Sequence, residues 1–423
     1  MVIKKIYIIF ATNYKPNKLK TREMNIKKLL FLSAFALHIS FFTAASAQEK
    51  DWVGTWATAV EYTGKGDMPS RSLSNRSVRE IIHVSLGGNV MRLQLSNVFG
   101  NEAVEIQSVF IADAKDLCDI DVKTAKYLTF NGKKNVKIEA GKDLFSDEIK
   151  YNLKPLQRLA ITICYGKQTP EHATSHRGSR TTSYIVDGIA KPKTSFADAG
   201  EKVDHWYNIA ALDVKAEKNT PVVACLGNSI TDGRGTTTNL QNRWTDRMAE
   251  ALDGNVGVLN LGIGGNAVLQ GGLSEPALKR FDRDILAQRG VKTLIIFEGV
   301  NDLGWANEKN PKGTSYMIAE QLIEAYKTMT EKAHNAGMKV YLATICPFKG
   351  NNYFNLFHEA GRQMVNEWIR TQKVADGVID FDNLSKNPND PQQLKKEFSD
   401  DWLHLNPAGY EAMGKLAAEC LKK

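Results

Sequence analysis

Hydrophobic and polar residues follow two different rhythms along the chain, and the rhythm changes near residue 215. From Trp52 to about Val214, apolar and polar positions alternate over short runs that are separated by turn residues. Beyond Pro221, five nearly continuous apolar runs are separated by longer segments with helical spacing. Alternation is typical of half-buried strands, whereas continuous runs between helices are typical of a parallel sheet covered on both faces.

The first region is predicted to be an all-β sandwich. The segment "REIIHVSLGGNVMRLQLSN" predicts a hairpin around Gly87-Gly88, and "KYLTFNGKKNVKIEAG" predicts a second one around Asn131-Gly132. "QRLAITICYG" and "TTSYIVDG" add further strands. Many short strands with turns between them favour two packed sheets. The polar stretch "DVKAEKNTP", residues 213–221, predicts the linker to the second region.

The second region is predicted to be α/β. Its five apolar runs are "VVACLG", "VGVLNLG", "TLIIFEG", "KVYLATI" and "GVIDFDN", and helical spacing marks "NRWTDRMAEAL" and "YMIAEQLIEAYKTMTEKAHNAG". In such sheets, ligands bind at the edge where the parallel strands end. Ser229, Gly265 and Asn301 follow the ends of the first three runs. We therefore expect these three residues to lie at one edge of the sheet.

Each of these three residues also has an ordinary structural explanation. Ser229 in "GNSITDG" suits a helix cap, Gly265 in "NLGIGGNAVL" suits a turn, and Asn301 in "FEGVNDLG" suits an Asx-turn. The same groups suit acyl chemistry, because a hydroxyl on a strand-to-helix turn is exposed and because backbone N–H and amide groups stabilise an oxyanion. A dinucleotide-binding glycine pattern is absent from this part of the sequence.

A fourth pattern, "SDDWLHLNPAGY", places Asp401 and His404 three residues apart just before a predicted helix. Residues with this spacing share a face of a helical turn. Asp401 can then accept a hydrogen bond from His404 Nδ1, which leaves Nε2 to take a proton from Ser229. The alternative is a surface Asp–His pair near a helix start.

Together, the four patterns resemble the SGNH (GDSL-type) hydrolases over about residues 221–423. The four letters correspond to Ser229, Gly265, Asn301 and His404. Two departures are that the usual "GDS" is "GNS" here and that Leu405 follows the histidine where a proline is common. The resemblance implies a flavodoxin-like three-layer sandwich with a five-stranded parallel sheet, preceded by the β-sandwich. The expected divisions are a leader at 1–47, a β-sandwich domain at 48–214 and a catalytic domain at 215–423.

The resemblance also implies a serine esterase that needs neither cofactor nor metal. Ser229 would be the nucleophile, His404 the base and Asp401 its orienting acid, with the oxyanion bound by Ser229, Gly265 and Asn301. The expected substrate is a small-molecule or glycan ester, foremost a carbohydrate O-acetyl ester. The alternatives are a lysophospholipase or small-ester lipase, an acyltransferase and a non-catalytic glycan-binding module. Four further residues near these motifs or near predicted strand ends are candidates for substrate contact: Asp232, Trp305, Tyr353 and Phe348.

The net charge of +8 does not indicate a nucleic-acid partner, because its excess is concentrated in the leader. Residues 1–47 carry eight lysines and arginines against one acid, so the remainder is nearly neutral. "MNIKKLLFLSAFALHISFFTAASAQEK" has the lysines, the apolar run and the A-x-A spacing of a secretory signal peptide cleaved after Ala47, with Met24 as an alternative start. We expect an exported protein without stable membrane insertion; an N-terminal anchor is the alternative. The oligomeric state stays open.

Cysteine and histidine spacing adds no metal site. The five cysteines are irregularly spaced, and pairing of Cys118 with Cys164 is left open. His172 and His176 in "EHATSHRG" have the spacing of a helical metal pair, but the surrounding residues favour a loop. His83, within a strand run, is expected to be a packed or cross-strand residue and not a catalytic one.

Overall fold

In the computed structural model, which describes residues 50–422, the sheets before Pro221 are antiparallel and a five-stranded parallel sheet follows Pro221. The predicted leader, its alternative start and its cleavage site lie outside the described residues. Residues 50–423 cluster as one compact unit, and a domain boundary at residue 214 stays a prediction. Among the helices of the described part, none combines the length and apolarity required to cross a bilayer.

The region before Pro221 is built of antiparallel sheets, as the alternating pattern predicts. Its two larger sheets have the strand orders β1-β15-β4-β8, with β9 beside β4, and β13-β12-β3-β10-β5-β6, with β7 beside β5. A third sheet has the order β14-β11-β2. Apolar residues of both larger sheets share one core. The strands are β1 (Lys50–Ala57), β2 (Glu61–Thr63), β3 (Arg76–His83), β4 (Gly88–Ser96), β5 (Val104–Asp113), β6 (Lys126–Tyr127), β7 (Val136–Ile138), β8 (Asp143–Phe145), β9 (Ile149–Leu153), β10 (Arg158–Tyr165), β11 (Ala173–Arg177), β12 (Ser183–Asp187), β13 (Glu201–Val203), β14 (His205–Tyr207) and β15 (Ile209–Glu217).

The hairpin predicted at Gly87-Gly88 is wrong, because the two flanking strands belong to different sheets. β3 pairs with β10 and β12, whereas β4 pairs with β15, β8 and β9. The turn predicted at Asn131-Gly132 is present, with φ of 51° and 77° and a bridge between Phe130 and Lys133. The strands on either side of it pair with β5 instead of with each other.

The predicted linker is mostly strand. Residues 213–217 belong to β15, which pairs with β1 and β4. Asp213 is 1% exposed and accepts hydrogen bonds from the Arg92 guanidinium at 2.9 and 3.0 Å. A buried carboxylate is tolerated inside a sheet when a cationic side chain pairs with it, and the polar sequence then looks like that of a linker.

The region after Pro221 confirms the predicted parallel sheet. Its strands β16 (Val222–Gly227), β17 (Gly257–Gly262), β18 (Val291–Phe297), β19 (Lys339–Ala343) and β20 (Gly377–Ile379) are arranged in the order β17-β16-β18-β19-β20. This is the flavodoxin-like order 2-1-3-4-5. A small antiparallel pair, β21 (Lys386–Asn387) and β22 (Asp390–Leu394), follows the sheet.

Helices cover the parallel sheet, which explains why its strands are almost entirely buried. α2 packs against α8, and α5 packs against α6. The helices are α1 (Ser229–Asp232), α2 (Trp244–Ala251), α3 (Ala277–Phe281), α4 (Val300–Gly304), α5 (Ser315–Asn335), α6 (Leu356–Thr371), α7 (Phe381–Ser385) and α8 (Pro407–Leu421). A π-helical turn, Asp282–Leu286, extends α3, and 3₁₀ turns span Lys65–Asp67, Val122–Thr124 and Lys396–Phe398.

A buried arginine joins the ends of the two strands that precede Ser229 and Gly265. Arg280 is 0% exposed and donates to the carbonyl oxygens of Leu261 at 2.9 Å and Gly227 at 3.1 Å. It also donates to the Asn266 side chain at 2.9 Å and forms an ion pair with Asp284. These bonds fix two loops relative to one another at the carboxyl edge of the sheet.

We predict that Arg280→Met lowers the free energy of unfolding by about 3 kcal/mol or more, because it leaves buried acceptors without a donor. Urea unfolding followed by tryptophan fluorescence measures this change. The neighbouring Lys279→Met is the matched control, since this lysine is 70% exposed and its ion pair is worth at most about 1 kcal/mol. Equal losses in the two variants would contradict the assigned role of Arg280.

Candidate active site

Ser229 lies on a tight turn between β16 and α1. Asn228 caps α1, its Oδ1 accepting from the Ile230 N–H at 3.0 Å. A Cβ atom on Gly227 would collide with the Thr231 hydroxyl, so the turn requires glycine before the cap. Ser229 itself is 7% exposed. The turn therefore carries the hydroxyl to the end of the strand, at the edge where ligands bind in such sheets.

Asn228, at which this sequence has "GNS" in place of the usual "GDS", has a hydrogen-bond partner in the structure. Asn228 Nδ2 donates to Glu298 Oε2 at 3.1 Å. Glu298 is 1% exposed, and burial raises its pKa to about 8. An aspartate at position 228 would place a second carboxyl group against Glu298, whereas asparagine supplies a donor. Asn228 thus fits this site because of its buried neighbour.

Ser229, His404 and Asp401 form one hydrogen-bonded chain. Ser229 Oγ lies 2.9 Å from His404 Nε2, and His404 Nδ1 lies 2.7 Å from Asp401 Oδ2. The other oxygen of Asp401 accepts from the backbone N–H groups of Leu403 and His404. Burial raises the pKa of Asp401, but the hydrogen bonds from His404 outweigh it and hold that pKa well below its usual range. An ionised Asp401 favours a proton on Nδ1, which leaves Nε2 as an acceptor for the serine proton.

Asn301 reaches the same edge of the sheet from the start of α4. Its Nδ2 donates to the Asn266 carbonyl at 2.7 Å, and its Oδ1 accepts from the Tyr353 hydroxyl at 3.0 Å. These two bonds distinguish the nitrogen of the Asn301 amide from its oxygen, because the Asn266 carbonyl can only accept. One Nδ2 proton is used by Asn266, and the second remains for a ligand. Tyr353 therefore acts through Asn301 in addition to its place near the cavity.

Gly265 lies in the loop after β17 with φ of 67°, a conformation that favours glycine. Asp302 fastens this loop to α4, because its carboxylate accepts from the N–H groups of Val268 and Leu269 at 2.9 to 3.1 Å. Burial raises the pKa of Asp302 to about 6. The loop of Gly265 and the helix of Asn301 are thereby held side by side.

A cavity of about 420 Å³ opens beside Ser229. It brings together Ser229, Gly265, Asn301, Trp305 and His404, all of which are candidates from the sequence. Trp305 is 45% exposed and meets the Tyr353 ring edge-on. The full lining is Glu61, Arg177, Gly178, Arg180, Ser229, Arg234, Gly264, Gly265, Leu273, Asn301, Trp305, Tyr353, Leu403 and His404.

Two expected substrate contacts lie away from this cavity. Phe348 is 0% exposed and packs against Phe354, so its ring belongs to the core. Asp232 is 2% exposed and is bonded to His176 and Arg180. Neither side chain is among the cavity residues, and both expectations are corrected.

Sequence reasoning missed the histidine beside Asp232. "EHATSHRG" forms β11 instead of the expected loop, and His176 within it is buried. Its Nδ1 lies 2.8 Å from the Ala59 carbonyl and its Nε2 lies 2.8 Å from Asp232 Oδ1. Two acceptors require two donors, so the imidazole is a cation; burial lowers its pKa, but Asp232 raises it above the usual value overall. Both nitrogens are occupied, which contradicts a metal-binding pair with His172.

The remaining expectations concern single residues. His83 belongs to β3, and its two ring nitrogens are hydrogen-bonded to Asp246 at 3.0 Å and to the Leu156 carbonyl at 3.0 Å. Cys118 and Cys164 are both free thiols. The sequence carried no signal for the Asp232–His176 pair, because the two residues are 56 positions apart and belong to differently folded regions.

Residues 225–412 match the sequence model of the GDSL-like Lipase/Acylhydrolase family. This segment is a GDSL-like lipase/acylhydrolase domain. Hydrolysis of carboxylic esters is the chemistry of the family. The GDSL-like domain contains Ser229, Gly265, Asn301, Asp401 and His404.

Among curated proteins, the chain is similar to an uncharacterized lipoprotein, YqeF, of Bacillus subtilis (strain 168), with 32% identity over 117 residues. The match covers 27% of this chain and 44% of the relative, so the chain spans less than half the relative's length. A GDSL-like lipase from Bacteroides thetaiotaomicron VPI-5482 aligns at 20% identity with a TM-score of 0.36, over 48% of this chain and 89% of that one. A carbohydrate acetylesterase family member from Sinorhizobium meliloti aligns at 16% identity with a TM-score of 0.37, over 48% and 97%.

The raised pKa of Glu298 predicts a pH-dependent stability. The folded state holds this proton more tightly than the unfolded state, whose pKa is near 4.5, so the free energy of unfolding falls as pH rises toward about 8. Between pH 6.5 and 8 the loss from this group is roughly 2 kcal/mol. Glu298→Gln keeps an acceptor for Asn228 but cannot ionise, so its stability should fall less over this range.

Urea unfolding at both pH values tests the effect. Glu324→Gln is the control, because this side chain is 71% exposed and should behave as the wild type. Identical pH dependence in wild type and Glu298→Gln would show that Glu298 is not held protonated.

Proposed function

We propose that the protein hydrolyses carboxylic esters through an acyl-enzyme formed on Ser229. The observation that carries this proposal is the hydrogen-bonded chain from Asp401 through His404 to Ser229, at the wall of a cavity. A hydroxyl with this support gains a base at the moment of attack.

In the first half of the reaction, Ser229 Oγ attacks the ester carbonyl carbon while His404 Nε2 takes the hydroxyl proton. Asp401 stabilises the imidazolium and keeps its ring oriented. The negative charge on the carbonyl oxygen is bound by the N–H groups of Ser229 and Gly265 and by the free Nδ2 proton of Asn301. Each such donor contributes about 3–4 kcal/mol to the transition state.

Collapse of this intermediate breaks the bond to the alcohol, and His404 returns its proton to the leaving oxygen. A water molecule then attacks the acyl-enzyme, with His404 again removing a proton. The second tetrahedral intermediate releases the acid and restores the Ser229 hydroxyl. The ester, this water molecule, Ser229 and His404 account for all atoms and protons of the two steps.

The favoured substrate is a carbohydrate O-acetyl ester. The cavity volume of about 420 Å³ lies at the small end of ligand sites. Its lining is rich in charged groups, which suits a polar alcohol better than a long acyl chain. Leu273 lies against Gly265, which limits the space beside the oxyanion site, and the half-exposed Trp305 offers a ring face for a sugar.

We further propose that the protein is exported. The support is the lysine-rich, apolar leader with a small-residue cleavage pattern ending at Ala47. The similar Bacillus protein carries the name lipoprotein. A cysteine is absent from the predicted cleavage point of this sequence, so the proposal is cleavage without lipid attachment.

Ser229→Ala is predicted to lower kcat/KM on 4-nitrophenyl acetate by about 10⁴-fold or more, since the nucleophile is removed. The circular dichroism spectrum should stay that of the wild type. Ser195→Ala, at an exposed serine of the antiparallel region, is the matched control and should keep its activity. Retention of most turnover by purified Ser229→Ala would reject the proposed nucleophile.

Acyl-chain preference distinguishes a deacetylase from a lipase. We expect kcat/KM on 4-nitrophenyl esters to be highest for acetate and to fall through butyrate to octanoate, because the cavity is small and Leu273 lies against Gly265, which limits the space for an acyl chain. Acetate release from an O-acetylated polysaccharide provides the second measurement. A maximum beyond about eight carbons would favour the lysophospholipase or lipase alternative.

A further inference from the structure

Three guanidinium groups line the cavity, but one of them is already satisfied. Arg177 donates to Glu61 Oε2 at 2.6 Å and to the Leu273 carbonyl at 2.9 Å. Glu61 is fully buried, and Asp67 lies 3.5 Å from the same arginine. Arg177 therefore fixes the loop beside Gly265 and has little charge left for a ligand.

The other two arginines retain unused donors. Arg180 Nη2 donates to Asp232 Oδ2 at 2.8 Å, while its buried Nε has no hydrogen-bond partner among residues 50–422. Asp232 is shared with the cationic His176, so one carboxylate faces two cations. Arg234 is exposed, and within the described part of the chain its side chain has neither an ion pair nor a hydrogen bond. Arg234 is thus a guanidinium at the cavity wall for which the described part of the chain supplies no carboxylate partner.

Arg234 belongs to a loop beside Ser229 and His404. The Arg234 N–H donates to the Ser229 carbonyl at 2.8 Å, and the next residue, Gly235, packs against the Leu405 backbone beside His404. His404 must deliver its proton to the leaving oxygen, so the alcohol lies on this side. The carbonyl oxygen of the ester points toward Gly265 and Asn301 instead.

We propose that the cavity recognises a carboxylate on the alcohol portion of its ester substrate, bound by Arg234 and Arg180, and that the substrate is therefore an O-acetylated acidic sugar of the uronate class. Guanidinium groups bind planar carboxylates through paired, charge-assisted hydrogen bonds. The proposal rests on the ester hydrolysis proposed above and assigns its alcohol. It also gives the antiparallel region a role in specificity, because Arg180 precedes β12 in that region.

The test compares two forms of one sugar. The O-acetylated methyl glycoside of a uronic acid is used as the free acid and as the isosteric carboxamide, and kcat/KM is measured by acetate release. We expect the wild type to prefer the free acid by about tenfold or more, with a smaller preference at high salt. Arg234→Gln should lower this ratio at least fivefold, and Arg234→Lys should keep part of it. Arg71→Gln, whose side chain is 63% exposed in the antiparallel region, is the control and should leave the ratio unchanged.

A second pair of substrates places the charge on the acyl side. 4-Nitrophenyl hemisuccinate should show no advantage over 4-nitrophenyl butyrate, and an advantage there would overturn the placement on the alcohol. Equal rates on acid and carboxamide, or an unchanged ratio in Arg234→Gln, would overturn the carboxylate site while 4-nitrophenyl acetate is still hydrolysed. Absence of turnover on every ester, including 4-nitrophenyl acetate, would instead reject ester hydrolysis itself and the carboxylate site with it.

Discussion

The hydrogen bond between Ser229 and His404 joins residues that are 175 positions apart. Contacts among the surrounding loops hold these two residues close together. Arg280 holds together the ends of β16 and β17. Asn228 and the buried Glu298 support the turn that carries the serine. Asp401 accepts hydrogen bonds from both the ring and the backbone N–H of His404. The catalytic geometry proposed here thus depends on polar side chains that specific hydrogen-bond partners hold in place.

The site is not built by the GDSL-like domain alone. Glu61, Arg177 and Arg180 come from the antiparallel region, and all three line the cavity beside Ser229. His176 of β11 pairs with Asp232, the last residue of the short helix that begins with Ser229. Burial strengthens these ionic contacts, so the antiparallel region both supports the nucleophile turn and supplies charge to the cavity.

Much of the fold was predictable because parallel strands buried on both faces leave continuous apolar runs. All five strands of the sheet were predicted from these runs, and the long helix α5 was predicted from its helical spacing. The loops after β16, β17 and β18 were expected at one edge, and Ser229, Gly265 and Asn301 do line one cavity. The "DWLH" spacing also predicted the contact between Asp401 and His404.

The errors arose where distant contacts decide the outcome. Asp213 looked like a linker residue because its partner Arg92 is far away in sequence. β3 and β4 alternate as a hairpin would, yet each finds its neighbours in another sheet. Asp232 and Phe348 lie near the site in sequence, but burial directs one to His176 and the other into the core. The local pattern of apolar and polar residues does not show which distant partner each of these residues or strands contacts.

The most direct test is to label the protein with a fluorophosphonate and to map the adduct by mass spectrometry, since such reagents react with an activated serine hydroxyl. The account predicts a single adduct on Ser229, formed far more slowly in His404→Ala. An adduct on another serine, or labelling of Ser229 at the same rate without His404, would contradict it.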